Sequence, residues 1–304
     1  MLDFQTILDV IYKNAIHSKD KGVVASYIPE LAHIDRNSFG IHLRTSDGNE
    51  YGVGDFNKPF SIQSISKVLA LAKAISFKGN DVWQRVGVEP SGNPFNHLSL
   101  LELENGIPRN PLINSGAIVI ADILISHLDN PKEDFLNFVR DLTGDNSVNY
   151  NKQVAQSEKA TGYKNMAAAN LLKSFGNLEN SVEDVLDFYF HQCSIEMSCS
   201  QLSKAFFLFV NKGKCLFEKV YLTESQAKRI NAIMLTCGFY DEAGEFAFEV
   251  GLPGKSGVGG GIAALLPNKF VITTWSPGLN KKGNSQLGMQ ALEQFTSETK
   301  LSIF

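Results

Sequence analysis

Residues 61–77 read SIQSISKVLALAKAISF, a stretch that is apolar around most of a helical surface. A helix of this kind is normally buried. Lys67 lies inside the stretch, and a buried lysine is costly unless it is paired or neutral. Ser64 precedes Lys67 by three residues, so the two side chains share one face of the predicted helix. The stretch therefore predicts a serine beside an amine that is shielded from water.

This serine and lysine form a candidate catalytic pair. Burial lowers the pKa of a lysine, and the neutral amine can take the proton of a serine hydroxyl and so create a nucleophile. The spacing S-x-x-K alone is weak evidence, since it recurs in the polar segments 18–21, 225–228 and 297–300. The alternative is that Lys67 extends its ammonium group to the surface. From this segment alone both interpretations stay open.

A second element lies near the other end of the chain. The sequence Gly254-Lys255-Ser256-Gly257 is followed by three glycines at 259–261 and the apolar run 262–266. A K-[ST]-G strand beside an S-x-x-K helix is the pairing found in penicillin-recognising enzymes. Lys255 would favour the neutral form of Lys67, and small residues let a backbone N–H approach an oxyanion. A plain flexible turn remains the alternative, but the two elements together strengthen the catalytic interpretation.

The remaining patterns organise the chain around these two elements. A helix is predicted over 3–16 and a β-hairpin over 38–45 and 49–53, with the turn at Asp47-Gly48. Helical patterns cover 117–128, 132–142, 166–175, 182–192, 198–210, 224–235 and 285–297. Short β-rich runs cover 246–250, 259–266 and 270–274.

These elements predict an α+β protein with one antiparallel sheet built from both chain ends and flanked by helices. We expect a single catalytic domain over 1–304. Its mixed sheet and helix part would comprise about 1–78 and 236–304, and a mostly helical inserted subdomain would comprise about 79–235.

Composition narrows the function classes. The chain has 304 residues and a net charge of −4 with no basic run, so a nucleic-acid partner is not expected. The N-terminus lacks the basic start of a signal peptide, and the longest apolar stretch, 117–125, contains Asp122 and is too short to cross a bilayer. We expect a cytoplasmic protein without a membrane partner.

Metal and cofactor chemistry finds no support in the sequence. The four cysteines have no C-x-x-C spacing and are expected to be reduced. The six histidines show neither H-x-x-x-H nor H-E-x-x-H, so neither a metal site nor a cofactor is predicted.

Several ordered motifs resemble the serine-dependent glutaminases. They are Ser26–Leu31, Gln63–Lys67, Asn110–Ile118, Asn165–Ala167, Gly238–Asp241 and Gly251–Val258. The resemblance covers about residues 20 to 300. It implies a β-lactamase/D-peptidase-like fold and the hydrolysis of L-glutamine to L-glutamate and ammonia. It also implies a homo-oligomer, a dimer or a tetramer.

The resemblance also implies roles for residues of this chain. Ser64 is the expected nucleophile and Lys67 its activating base, while Tyr240 or Tyr189 relays a proton or orients water. The expected substrate-binding residues are Tyr27, Ser64, Asn114, Glu158, Asn165, Tyr189, Tyr240 and Val258. Supporting residues are Gln63, Lys255, Ser256 and Gly257. The chemistry fits, because Glu158 can pair with an α-ammonium group and the N–H groups of Ser64 and Val258 can hold an oxyanion.

Each of these residues has an ordinary alternative. Asn114 can simply cap the helix that follows it. Glu158, in Ser157-Glu158-Lys159, has the pattern of a solvated surface charge. Tyr189 and Tyr240 can be core residues with wet hydroxyls.

Two other functions stay open. The first is another S-x-x-K serine hydrolase, a β-lactamase or D-peptidase, although no Ser-Asp-Asn occurs in the chain. The second is a non-catalytic glutamine-binding protein. Selectivity for glutamine over asparagine follows only from the resemblance.

Overall fold

The computed structural model describes residues 2–91 and 98–304. Its α-helices are α1 Phe4–His17, α2 Ser66–Lys78, α3 Ser99–Leu103, α4 Asn114–Ile125, α5 Pro131–Thr143, α6 Lys152–Thr161, α7 Tyr163–Ser174, α8 Val182–Cys193, α9 Cys199–Val210, α10 Glu224–Cys237, α11 Ala243–Glu249 and α12 Gln286–Thr299. Short 3₁₀ turns cover Pro29–Leu31, Gln63–Ile65, Gly79–Gln84 and Tyr240–Glu242.

The strands are β1 Val23–Val24, β2 Gly40–Thr45, β3 Glu50–Gly54, β4 Phe60–Ser61, β5 Asn149–Tyr150, β6 Ile195–Met197, β7 Gly254–Ser256, β8 Gly261–Leu266, β9 Phe270–Trp275 and β10 Gly278–Leu279. The main sheet is antiparallel in the order β3-β2-β9-β8-β7. Two strands thus come from the start of the chain and three from its end. The predicted α+β class, with a sheet built from both ends, is confirmed.

The main sheet separates two apolar cores. Side chains alternate between the faces of a strand, so Ile262 and Ala264 contribute to one core and Ala263 and Leu265 to the other. Helices α1 and α12 cover the first face, and α9 covers the second. Beyond α9 the second core continues through α2, α4, α5 and α8. Helix α2 is therefore buried within the second core, where it packs against α4, α5, α8 and α10.

Two small sheets complete the fold and lie close to the motif residues. Strand β6 pairs antiparallel with both β4 and β5, and β1 pairs with β10. Strands of two or three residues are too short to give an alternation pattern, so the sequence did not predict them. The β4–β6 pairing matters for the site because β4 ends immediately before the 3₁₀ turn that contains Ser64.

Two predictions about local structure need correction, and a helix that carries a site residue was not predicted. The run 246–250 was expected to be β-rich, but it lies largely in α11, where Phe246 stacks on Phe239. The helix expected over 61–77 begins only at Ser66, after a strand and a 3₁₀ turn. Helix α6 was not predicted, because most of its residues are polar. No helix within 2–91 and 98–304 is both long and apolar enough to cross a membrane.

Candidate active site

Ser64 lies in the turn that joins β4 to α2. Gln63, immediately before it, has a positive φ of 50°, a conformation that is uncommon outside glycine. Ser66 Oγ donates to the Gln63 carbonyl at 2.7 Å, and Ile62 N–H donates to the Ile195 carbonyl at 2.9 Å. Gln63 and Ile65 are buried, whereas Ser64 is partly exposed. A fixed, sharply turned backbone thus leaves the Ser64 hydroxyl accessible.

Lys67 follows Ser64 by one helical turn and is enclosed by protein. Its side chain is 1% exposed, and Nζ donates to Asn114 Oδ1 at 2.6 Å and to the Leu112 carbonyl at 3.2 Å. Burial lowers the pKa of Lys67 to about 8. The alternative in which this amine reaches the surface is therefore wrong. The lowered pKa favours the neutral amine relative to that of an exposed lysine.

Asn114 connects Lys67 to a second asparagine. It is the first residue of α4, and its Nδ2 donates to Asn165 Oδ1 at 2.9 Å. The residue in the capping position is Ile113, so Asn114 is not the helix cap. With Oδ1 on Lys67 and Nδ2 on Asn165, the Asn114 amide is held in one orientation.

Glu158 is buried, contrary to the pattern of a surface charge. It lies on α6 with 8% of its surface exposed, and Oε1 accepts a hydrogen bond from Gln63 Nε2 at 2.9 Å. Burial raises the pKa of Glu158 to about 7, although Gln63 and Lys67 act in the opposite direction. Gln63 also donates to Ser61 Oγ at 2.9 Å, so the residue before Ser64 fixes the position of this carboxyl.

The two tyrosines lie in the interior beside the motif residues. Tyr240 has a positive φ of 58° and is 8% exposed. Burial raises the pKa of the Tyr240 phenol to about 12, while the hydroxyls of Ser64 and Ser256 act in the opposite direction. Burial likewise raises the pKa of Tyr189, on α8, and the neighbouring Cys193 and Glu158 add to that effect. The Tyr240 hydroxyl is thus next to Ser64.

Lys255 on β7 is a second buried amine. Its Nζ donates to the Ser256 carbonyl at 2.6 Å and to the Gly238 carbonyl at 2.9 Å, and it lies 4.3 Å from the centroid of the Tyr240 ring. Burial, together with the charge of Lys67, lowers the pKa of Lys255 well below its usual value. Lys255 therefore connects the backbone of Gly238, two residues before Tyr240, to the backbone of Ser256. This is the supporting role that the resemblance implies.

The glycine-rich turn after β7 packs against the chain just before Ser64. A Cβ atom at Gly257 would lie 2.5 Å from the Ile62 carbonyl oxygen, and one at Gly259 would lie 2.2 Å from that of Ser61. Only glycine allows such an approach. Val258, between the two glycines, is buried. The absence of side chains thus brings the backbone at 257–259 next to the Ser64 turn.

A cavity of about 580 Å³ adjoins these residues. Four predicted substrate-binding residues line it: Tyr27, Asn114, Glu158 and Asn165. Tyr27 forms an outer wall and is 56% exposed. The Lys67–Asn114 and Gln63–Glu158 hydrogen bonds link the cavity wall to the Ser64 turn. The structure thus gathers all the predicted site residues in one region.

Sequence reasoning missed two buried residues in this region. Asn110 Oδ1 accepts the N–H groups of Leu112 and Ile113 at 3.0 and 3.1 Å, which fixes the carbonyl that receives Lys67. The Asn110-Pro111 pair was a turn signal that could have indicated this role. Cys193 is buried beside Lys67, Ser66 and Tyr189, and no sequence pattern pointed to it.

The chain is similar to known proteins over its whole length. A family model described as Glutaminase matches residues 22–304. A glutaminase of Christiangramia forsetii is 56% identical over 304 residues, with complete coverage of both chains. A glutaminase of Saccharophagus degradans is 52% identical over 304 residues, covering 100% of this chain and 99% of the relative.

Solved structures give the same result. The probable glutaminase ybaS has a TM-score of 0.93 at 34% identity, covering 99% of this chain and 97% of its own. A probable glutaminase from Bacillus subtilis, complexed with 6-diazo-5-oxo-L-norleucine, has a TM-score of 0.86 at 31% identity, covering 99% and 95%. The resemblance that the motifs indicated is confirmed.

Proposed function

Since the chain belongs to the glutaminase family and is a hydrolase of amide bonds, we propose that it hydrolyses the side-chain amide of L-glutamine to L-glutamate and ammonia. We further propose that the reaction passes through an acyl-enzyme on Ser64. The observation that carries this mechanism is a buried Lys67 amine, with a pKa of about 8, one helical turn from a partly exposed serine.

In the proposed acylation step, Ser64 Oγ attacks Cδ of glutamine while its proton passes to neutral Lys67 Nζ. The carbonyl oxygen becomes an oxyanion, which the backbone N–H groups of Ser64 and Val258 hold. The glycines at 257 and 259 support this pairing, since they let the two backbones approach. The C–N bond then breaks, the proton passes to the departing nitrogen, and ammonia leaves.

Deacylation repeats these steps with water. A water molecule attacks the ester carbonyl and gives one proton to Lys67. The oxyanion that forms accepts hydrogen bonds from the same backbone N–H groups, those of Ser64 and Val258. When the bond to Ser64 Oγ breaks, Lys67 returns the proton to Ser64 and glutamate is released. We assign Tyr240 to the transfer of protons or the orientation of water, because its hydroxyl interacts with Ser64.

The cavity supports recognition of a free amino acid. Within residues 2–91 and 98–304, Glu158 accepts one hydrogen bond, of 2.9 Å from Gln63, so an α-ammonium group can supply a positive charge and further donors. We propose that Tyr27, Asn114 and Asn165 donate hydrogen bonds to the α-carboxylate. Tyr189, beside Glu158, would complete the binding pocket.

The direct test replaces the nucleophile. Ser64→Ala is expected to reduce ammonia release from glutamine by about 10³-fold or more while glutamate binding, measured by calorimetry, changes little. Ser225→Ala is the matched control, since Ser225 begins another S-x-x-K sequence on an exposed surface. Comparable turnover by Ser64→Ala would overturn the assignment, and glutamine binding without turnover by the wild type would favour a binding protein.

We also propose a cytoplasmic homo-oligomer with one catalytic domain. All four cysteines are free and buried, as expected in a reducing compartment. Large apolar side chains such as Leu103 and Phe248 are 76% and 84% exposed, as expected of surfaces that cover each other in an oligomer. Light scattering in solution distinguishes a monomer from a dimer or tetramer.

A further inference from the structure

Behind Tyr240 lies a buried carboxyl group that the mechanism above does not use. Glu242 is 7% exposed and ends the 3₁₀ turn that begins at Tyr240. Its two oxygens accept from Asn280 Nδ2 at 2.9 and 3.0 Å, and Oε2 also accepts a short hydrogen bond from Asn284 Nδ2. Asn284 is fully buried. The side chain of Glu242 thus joins the Tyr240 turn to the loop before α12.

A hydrogen-bonded chain runs from this carboxyl group toward the active site. Asn284 Oδ1 accepts a hydrogen bond of 2.5 Å from Ser256 Oγ, and Ser256 is fully buried. Lys255, the neighbour of Ser256 on β7, has its Nζ 4.3 Å from the centroid of the Tyr240 ring, and the hydroxyls of Ser256 and Ser64 both lie close enough to affect the Tyr240 phenol. The order in space is therefore Glu242, Asn284, Ser256, Tyr240 and Ser64.

The chemistry of the first members fixes the direction of the whole chain. Asn284 Nδ2 donates to Glu242 Oε2, so the NH₂ end of Asn284 faces this carboxyl group. The carbonyl end of Asn284 then faces Ser256, whose O–H must donate to it. The Ser256 oxygen is left able only to accept, and the neighbouring Tyr240 O–H is the group that can donate to it.

This direction has a consequence for the nucleophile. If the Tyr240 O–H points to Ser256, it does not donate to Ser64 Oγ. A hydrogen bond donated to Ser64 Oγ would engage a lone pair that is needed for attack. The chain would therefore keep the Ser64 oxygen reactive while leaving the phenol oxygen beside it as an acceptor.

The surrounding loop is built to hold this arrangement. Asn280 Oδ1 accepts the backbone N–H groups of Lys282 and Asn284 at 2.9 and 3.1 Å. Lys282 Nζ pairs with Asp241 at 2.7 Å, next to Glu242 in sequence. Both sides of the chain are thus anchored, so the orientation of Asn284 is set by Glu242 and not by a mobile loop.

We propose that Glu242 and Asn284 are positioning residues that set the hydrogen-bond direction at Ser256 and Tyr240 beside the nucleophile. The proposal rests on the proposed function, since it assumes that Ser64 attacks glutamine. Neither residue is expected to touch the substrate. Their effect should therefore fall on kcat rather than on KM.

The test uses two variants. The first disrupts the hydrogen-bond direction between Glu242 and Ser256, and the second restores it. Asn284→Asp places two carboxyl groups face to face and removes the donor to Glu242. In the double variant E242Q/N284D, the Gln amide donates to the new carboxylate, its carbonyl still accepts from Asn280, and Ser256 still donates as before. We expect Asn284→Asp to lower turnover about thirtyfold with KM little changed, and the double variant to return to within about threefold of wild type.

Turnover is expressed per glutamate-binding site, counted by calorimetric stoichiometry. Misfolded molecules bind no glutamate and so do not enter this turnover number. A purely structural role would lower the number of binding sites but not the turnover of each site. Asn231→Asp is the matched control. It adds a carboxyl group at another buried asparagine, on α10, and should leave turnover per site unchanged.

Two results would overturn the proposal: unchanged turnover per site in Asn284→Asp, or no recovery in the double variant. If Asn284→Asp does not fold, Asn284→Ala replaces it, with an expected loss of about tenfold per site and the same meaning for an unchanged value. If Ser64→Ala retains activity, the assignment of the nucleophile on which the proposal rests fails as well. If Ser64→Ala is inactive and the Asn284 variants are normal, only the positioning role fails.

Discussion

Two buried carboxyl groups on the helical side of the molecule, those of Asp122 and Glu158, differ in the hydrogen bonds that they accept. Asp122 on α4 is fully buried, and it accepts from Arg85 Nη2 at 2.5 Å, from the N–H groups of Glu179 and Asn180 at 3.1 and 2.9 Å, and from Asn180 Nδ2 at 2.9 Å. Burial raises its pKa, but these hydrogen bonds outweigh burial and the pKa is lowered overall.

Glu158 is nearly as buried, but the described part of the chain gives it one donor, Gln63 at 2.9 Å, and its pKa is raised to about 7. It also lines a cavity, which Asp122 does not do among the described cavities. A carboxyl group with a full set of donors holds elements together. One that lacks donors beside a cavity is suited to receive a cation from outside, and that is how we assign the two.

The largest expected effect tests Glu158 directly. Glu158→Gln removes the negative charge while keeping the shape, so an α-ammonium group loses its counter-ion in a buried setting. We expect KM for glutamine to rise by about 100-fold or more, measured from initial rates of ammonia release. An unchanged KM would remove Glu158 from the binding site and end the contrast with Asp122.

The converse change should affect stability and not binding. Asp122→Asn removes the buried charged partner of Arg85, which keeps only its ion pair with the exposed Glu179, and it removes one of the two acceptor oxygens that serve Glu179 and Asn180. We expect the free energy of unfolding to fall by about 2–4 kcal/mol in urea titrations, with KM for glutamine unchanged in the folded protein. A raised KM without lost stability would show that the two carboxyl groups are not divided in this way.

The pH dependence of binding should separate wild type from the Glu158→Gln variant. Because the pKa of Glu158 is about 7, the free wild-type protein loses the charge as pH falls below 7. We expect KM to rise by up to about tenfold for each pH unit below 7, whereas KM of the variant stays flat over that range. Parallel profiles would mean that another group controls binding. Since the pKa of Lys67 in the ligand-free protein is about 8, kcat/KM of both proteins should fall as pH drops below 8.

A smaller effect concerns the stability of the ligand-free protein. A carboxyl group whose pKa is higher in the folded than in the unfolded state binds protons on folding, so stability falls as pH rises from about 4.5 to 7. Glu158→Gln removes this loss. We compare the free energy of unfolding of the variant with that of wild type, measured by urea titration. The difference, variant minus wild type, should be about 1–3 kcal/mol larger at pH 8 than at pH 4.5. An equal difference at both values would contradict the raised pKa.

The fold was predicted where periodicity is strong. The hairpin with its Asp-Gly turn, the short β-rich runs that became β8 and β9, and the long apolar helices gave the sheet and its helical cover. The error at 246–250 arose because a short apolar run fits a strand as well as a buried helix, and here packing of Phe246 on Phe239 accompanies the helix.

Some residues of the site could be predicted from the sequence and others could not. Ser64 and Lys67 could be identified as candidates from the sequence, because a serine and a lysine in an otherwise apolar stretch need an explanation. Glu158 could not be found from its neighbours, since α6 has the composition of a surface helix and buries only Val154, Ala155 and Glu158. The family resemblance alone indicated it. Glu242 and Asn284 carried no signal, because their hydrogen bond joins residues 42 positions apart.

The central claim is that Ser64 becomes acylated by glutamine. The most direct measurement quenches the protein in acid during turnover and maps its peptides by mass spectrometry. We expect one adduct, equal to glutamine less ammonia, on Ser64 of the peptide that contains residues 61–67. The same adduct on another side chain, or continued ammonia release by Ser64→Ala with no adduct at all, would contradict the account.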